Sequence, residues 1–206
     1  MAGPLAKNAV VQACLDGIEN AQATYNEMSG SWMCWGPEYF ITTEIARALA
    51  TLDGSKYITL ENSTYAALDD ANATGRGKFH PDIRIEGRVD IVLWWANGTP
   101  RAEKEVKNNV RKISNYESDI KRIQTILARK RDQSSLKFGI FAFYTDCRAT
   151  DLDDANERIS RRLGIIETNI NKLLGAGFKA KLEKNEIKPP VDGWAWAAVC
   201  VVITRN

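Results

Sequence analysis

The residues of this chain best suited to chemistry lie in two short stretches, Arg88-Val89-Asp90-Ile91-Val92-Leu93-Trp94-Trp95 and Arg101-Ala102-Glu103-Lys104-Glu105-Val106-Lys107. Each stretch reads as a strand, and Ala96 to Pro100 between them reads as a turn. Folded about Gly98, the hairpin sets Asp90 opposite Val106, between Glu105 and Lys107. Residues two apart on a strand share a face, so Glu105 and Lys107 point the same way. Two carboxylates and an ammonium in one cluster could hold a divalent cation and a polarised water. Taken singly the same residues have plainer readings: Asp90 as a strand-start residue, Glu105 and Lys107 as a solvated strand face. However, Ile91 and Leu93 alternate with Asp90 and Val92, so both faces of the first strand look apolar. An aspartate inside such a strand is costly unless it is paired or metal-bound.

The elements that must position this hairpin follow from periodicity. Leu5 to Met28 carries Val11, Leu15, Ile18, Gln22 and Tyr25 at helical spacing, and Ser29-Gly30-Ser31 breaks it. Pro37 suits the first turn of a second helix running to about Leu52. There Ile41, Ile45, Ala48 and Leu52 form an apolar stripe with Glu44 on its edge. Lys56 to Leu60 reads as a short strand and Thr64 to Ala71 as a helical turn. Asn72 to Pro81 is the clearest loop, and the strand region resumes at about Ile83. Ser114-x-x-Glu117 is a capping box opening a helix with Tyr116, Ile120, Ile123 and Leu127 facing inward. Leu136 to Tyr144 is a buried central strand, and Asp151, Asp153 and Asp154 open a further helix. Lys179 to Ile187 reads as an edge strand, Pro189-Pro190 as a turn, and Trp194 to Thr204 as a last buried strand. The order implies an α/β fold, a central mixed sheet with helices on both faces.

At Asp90 and Glu105-Val106-Lys107 the chain resembles the PD-(D/E)xK nuclease superfamily, which has the restriction-endonuclease-like fold. The likeness runs from about Pro37 to about Tyr144 and includes the strand, turn, strand and following basic amphipathic helix. The resemblance implies a magnesium-dependent phosphodiesterase, for which manganese can substitute, acting on DNA rather than RNA and as an endonuclease rather than an exonuclease. It implies Asp90 and Glu105 as principal metal ligands, the Val106 carbonyl as a further ligand, and Glu44 as an extra acid from the upstream helix. Lys107 would orient the water and stabilise the pentacovalent phosphate. Homodimers are one working state that the resemblance implies. Pro81-Asp82 is a literal Pro-Asp, but the hairpin leaves Asp82 far from Glu105, and it reads as a loop exit. The reading from another class is a non-catalytic nucleic-acid-binding or assembly subunit that keeps the fold.

Composition bounds these readings. The 206 residues suit one domain, with an N-terminal helical extension to about residue 36 and a core from about 37 to 206. Net charge is only +2, but Arg101 to Arg131 holds ten Lys or Arg against four Asp or Glu. Lys121, Arg122 and Arg129 on that segment are the expected contacts to a nucleic-acid backbone. Four cysteines without a Cys-x-x-Cys pair suggest reduced thiols of a cytoplasmic protein, and one histidine argues against zinc. No apolar run is long enough to span a bilayer and no secretory signal is evident, so no membrane association is expected. Gly75-Arg76-Gly77-Lys78 lacks the spacing of a phosphate-binding loop. The loop holding Trp32 and Trp35 is the one place where tryptophan suggests stacking on a base or packing against a partner.

Overall fold

The computed structural model describes residues 5–54, 56–130, 132–151 and 153–206; Arg131 and Leu152 lie outside them. Five helices occupy Lys7–Ser29 (α1), Glu38–Thr51 (α2), Thr64–Asp70 (α3), Glu117–Ala128 (α4) and Ala155–Leu173 (α5). Strands occupy Lys56–Ser63 (β1), Arg88–Trp95 (β2), Pro100–Lys107 (β3), Phe138–Arg148 (β4), Phe178–Lys184 (β5), Lys188–Val191 (β6) and Trp194–Arg205 (β7). The sheet order is β1-β2-β3-β4-β7-β5, with β6 also pairing β7. Only β3 and β4 run parallel, joined by α4, and the other neighbours are antiparallel. The fold is therefore α/β with a mixed sheet. No helix among the described residues is long and apolar enough to cross a membrane.

Two hydrophobic layers cover the sheet. One gathers Ile120, Ile123 and Leu127 of α4 and Ile159, Leu163 and Ile166 of α5 against Phe141, Phe143 and Val201. The other gathers Val11, Leu15 and Ile18 of α1 and Ile41, Ile45 and Leu49 of α2 against Ile91, Val106, Ile140 and Ala142. Strand alternation decides the partition: successive residues of β3 and β4 feed opposite layers. Both α1 and α2 show the helical spacing expected of them, and their contact is unusually close. A Cβ on Gly17 would lie 2.5 Å from the Cα of Ile45, so α1 carries a glycine where the two backbones cross.

The β2–β3 hairpin is shifted by one residue from the expected register. Gly98 takes φ 82 in the turn, and Trp94 faces Pro100. An irregularity then slips the pairing, so that Leu93 faces Ala102, Val92 faces Glu103 and Ile91 faces Lys104. Continued by one step, this register sets Asp90 abreast of Glu105 rather than Val106. A one-residue slip exchanges the faces of a strand; here it puts Asp90, Glu103 and Glu105 together on the α4 side. The extra residue is Arg101, whose guanidinium stacks 4.3 Å from the Trp95 ring.

Other departures are local. The chain from Pro81 to Ile83 is a 3-10 turn, and β2 begins only at Arg88. Ser114 caps nothing: residues Ile113–Asn115 form a 3-10 turn and α4 starts at Glu117. The Asn115 side chain accepts from the Arg111 and Lys112 amides, at 3.2 and 3.0 Å, in its place. Asp154 does cap α5, accepting from the Glu157 amide at 2.9 Å. The backbone at Pro189-Pro190 runs within β6 rather than turning.

Candidate active site

Asp90 and Lys107 meet at the end of the β2–β3 hairpin where β3 emerges from the sheet. A carboxylate oxygen of Asp90, Oδ2, accepts from the Val106 amide at 2.7 Å. Burial raises the Asp90 pKa above the ordinary aspartate value, against the opposing pull of that amide and of the Lys107 charge. Glu61 stands abreast of Asp90 in β1, between the pairs Leu60–Ile91 and Asn62–Val89, and adds to the same upward push. Its φ of 50° is a left-handed backbone for a residue other than glycine.

Glu105 is buried to 3% exposure and its carboxyl is pushed up to about 8. Burial dominates that shift, Arg122 opposes it, and Asp90 and Asp119 add to it. Arg122 Nη1 lies 3.0 Å from Glu105 Oε1, an ion pair without hydrogen-bond alignment, so that oxygen has no hydrogen-bond donor. Glu103, two residues earlier on the same face, is 2% exposed, and burial holds its carboxyl well above the usual range. Lys104 points into the other layer, fully buried beside Cys14 and Cys200, where burial lowers its ammonium to about 8.

The acid that α2 brings to the cluster is Glu38, in its first turn. Glu38 Oε1 accepts from Lys107 Nζ at 2.9 Å and Oε2 accepts from the Asn108 amide at 3.2 Å. Glu44 does not join them. It pairs with Arg47 at 2.8 Å and borders a surface depression with Ala13, Asp16 and Asn20 of α1. Six residues on a helix separate the two glutamates by more than one and a half turns, so only the one at the helix start reaches the sheet's end. From the opposite layer α4 contributes Asp119, whose Oδ2 lies 3.9 Å from Lys107 Nζ and is buried without a hydrogen bond. Burial raises the Asp119 carboxyl too. Burial alone would lower Lys107, but the Glu38 hydrogen bond with Asp119 and Asp90 outweighs it and raises the ammonium above its ordinary value.

The expected backbone contacts divide in the same unsentimental way. Arg122 is buried at 3% exposure and donates to Thr64 Oγ1 and the Arg88 carbonyl, each at 2.7 Å, besides facing Glu105. It cannot reach a phosphate outside the protein. Arg129 donates to the carbonyls of Ala73 and Thr74, at 3.2 and 2.8 Å, and stacks 4.3 Å from the Phe79 ring, pinning the loop before β2. Lys121 remains at the surface, paired with Glu117 at 2.6 Å. Asp82 lies in the 3-10 turn, 3.5 Å from His80.

Two side chains of the cluster, Glu38 and Asp119, escaped sequence reasoning, and Arg122 was expected at the surface rather than beside Glu105. Glu38 follows Pro37 at a helix start, which is a signal of position rather than of pattern. Asp119 and Arg122 lie at helical spacing beside the apolar stripe of Tyr116, Ile120 and Ile123. A charge on an inward stripe is the legible mark they carry.

Among the described residues no three His, Cys, Asp or Glu side chains converge to hold a metal ion as they stand. The donor set nevertheless fits a hard cation: carboxylates of Asp90 and Glu105, with Asp119 and Glu38 at hand. Buried oxygens of Glu105 and Asp119 lack hydrogen-bond donors, and burial holds Asp90, Glu105 and Asp119 toward protonation. A divalent cation would correct both. Comparison of the chain with protein-family models, with curated proteins and with solved structures finds no match in any of the three.

Proposed function

We propose that the chain is a metal-dependent nuclease of the restriction-endonuclease-like class, cutting phosphodiester bonds within nucleic acid, DNA before RNA. The observation that carries this reading is Lys107 at the end of β3, hydrogen-bonded to Glu38 at 2.9 Å and 3.9 Å from Asp119, with the Asp90 charge close enough to raise its ammonium. Magnesium or manganese, when bound by Asp90 and Glu105 with the Val106 carbonyl, would supply a polarised water and relief of charge on the leaving oxygen. Lys107 stays an ammonium at neutral pH, so its part is to orient water and stabilise phosphate charge rather than to take a proton. Glu38 holds Lys107 in place and can accept a proton from the water. Arg122 holds the Glu105 carboxylate; Asp119 balances Lys107 from the α4 side.

The Glu105–Arg122 ion pair favours a second reading, in which the site is closed and the protein is a nucleic-acid-binding or assembly subunit without catalysis. The two are separated by incubating plasmid and single-stranded DNA with the protein in magnesium, in manganese and in chelator. Cleavage that needs metal and disappears in Lys107→Ala supports the nuclease. Binding of DNA with no cleavage in either metal, and no metal uptake by calorimetry, supports the second reading.

A further inference from the structure

Among the described residues Trp35 and Tyr39 are the most exposed aromatic side chains, at 78% and 70%. In the sequence they flank Glu38, the carboxylate that holds Lys107. Trp35 ends a 3-10 turn over Met33–Trp35, and Tyr39 lies in the first turn of α2.

The segment that carries them is tied down. Met33 is fully buried and its amide donates to Gln22 Oε1 at 2.9 Å. Gly36 donates to the Met33 carbonyl at 2.8 Å. Asn108, the residue after Lys107, donates from Nδ2 to the Met33 and Gly36 carbonyls at 2.8 and 2.9 Å. The two rings are therefore presented by a braced turn fastened to the strand end that bears the reactive lysine. Held open, they leave a large apolar area in water that a planar ligand would cover.

Charge narrows the ligand. Lys107 lies on one side of this turn. Within the turn the Cys34 thiol neighbours Asp146, whose carboxylate pairs with Arg111 at 3.0 Å, and the Arg111 side chain is about half exposed. Lys112 beside it is exposed. Flat apolar rings on a turn fastened to Asn108, with half-exposed Arg111 and exposed Lys112 following it in the chain, match a chain of bases joined by phosphates. A duplex keeps its base faces inside its own stack, so only unpaired bases can use such rings.

We infer that Trp35 and Tyr39 form a stacking platform for unpaired nucleobases beside the β3 end, making the substrate a single strand or the single-stranded end of a duplex. This rests on the nuclease reading for the phosphate that meets Lys107, and it adds the substrate class. Stacking reads no base edge, so recognition is tolerant of sequence.

The test measures fluorescence anisotropy of labelled oligothymidylate and of a duplex of equal length, in chelator, with wild type, Trp35→Ala, Trp35→Phe and Tyr39→Ala. Each alanine variant should bind the single strand about tenfold more weakly. Duplex binding should not change, and Trp35→Phe should bind close to wild type. Unchanged single-strand binding in both alanine variants, or equal loss on both nucleic acids, overturns the platform. So does gel filtration in which wild type is a dimer that Trp35→Ala dissolves, since the rings would then be covered by a second copy. Cleavage of the same oligonucleotide in magnesium is read in parallel. Cleavage by wild type that both alanine variants retain in full, with unchanged binding, removes the platform and leaves the nuclease. Trp35-dependent binding without any cleavage leaves the platform and removes the nuclease.

Discussion

Glu105 is asked to live in two states. Buried and without metal, its carboxyl is pushed up to about 8, which favours the protonated acid near neutrality; in the proposed role of metal ligand it would have to be an anion. Removing its charge should then separate stability from function. Glu105→Gln should melt close to the wild-type temperature in chelator near neutral pH, because a carboxyl held toward its protonated form is replaced by a neutral isostere. The same variant should lose most magnesium affinity by calorimetry. Lys107→Ala should behave oppositely, with metal binding kept and cleavage reduced at least about a hundredfold, since its contact is with charge that develops in the transition state. Equal cleavage by wild type and both variants would mean that the activity resides elsewhere. Lys107 itself should leave no ionisation in the rate profile between pH 6 and 9, a window in which Glu38, Asp119 and Asp90 keep its ammonium charged.

At the scale of elements, the two glutamates of α2 supply a matched comparison. Glu38→Gln should lower cleavage about a hundredfold by releasing Lys107 and the Asn108 amide, because small misplacements of a reacting group have that size of effect. Glu44→Gln, which only loosens the pair with Arg47, should cleave within about twofold of wild type. Reversal of these outcomes would return the role to Glu44. A parallel comparison belongs to α4. Arg122→Ala should destabilise by about 1–3 kcal/mol, by leaving the buried Thr64 hydroxyl and the Arg88 carbonyl without their donor, as followed by urea unfolding. Lys121→Ala should leave stability unchanged and lower the slope of log affinity against log salt by roughly 0.7 to 0.9 if Lys121 meets a phosphate. The contrast shows what a sequence discloses. Periodicity found α1, α2, α4 and α5 and the strands other than β6, because burial repeats with the geometry of the element. It also singled out Asp90, Glu105 and Lys107 as candidates, because charges inside apolar strands are conspicuous. It chose Glu44 over Glu38 because stripe position reports which side of a helix faces the core, whereas reaching the site depends on which end of the helix overhangs the sheet. It took Arg122 for a surface cation because its burial depends on Glu105 and Thr64, residues far away in the chain. The hairpin register slipped because the irregularity at Arg101 has no local mark beyond an arginine next to Pro100.

The whole molecule inherits the tension in β3, a strand with carboxyls of one face and a lysine of the other all buried. Asp90, Glu103, Glu105 and Asp119 are all raised in the folded state. An acid raised on folding binds more protons folded than unfolded, so its stabilisation is present at low pH and is lost as pH rises through the folded value. Lys104, lowered to about 8 from 10.5, has the opposite sign above that value: the unfolded chain binds its proton more tightly, so stability rises with pH from about 8 to 10.5. Without metal, the melting temperature should therefore fall between about pH 5 and 8 and then level or recover. Added magnesium should raise it by an increment that grows toward pH 8, because the ligand binds the anionic carboxylates. Glu105→Gln should flatten the fall and remove the increment; a wild-type profile that climbs from pH 5 to 8 in chelator would contradict the protonated state of these acids.

The crossing of α1 and α2 carries this dependence far from the strand itself. Gly17 lets the backbone of one helix rest on the backbone of the other at Ile45, and α2 extends from that crossing to Glu38. The helix is a lever with its fulcrum at Ile45 and its working end at the lysine. A single methyl group added at Gly17 would lie only 2.5 Å from Ile45 Cα, and the helix would tilt to make room. A substitution made for helix propensity, on the far layer from every carboxylate of β3, would thus detune the reacting group while leaving each of its neighbours chemically intact.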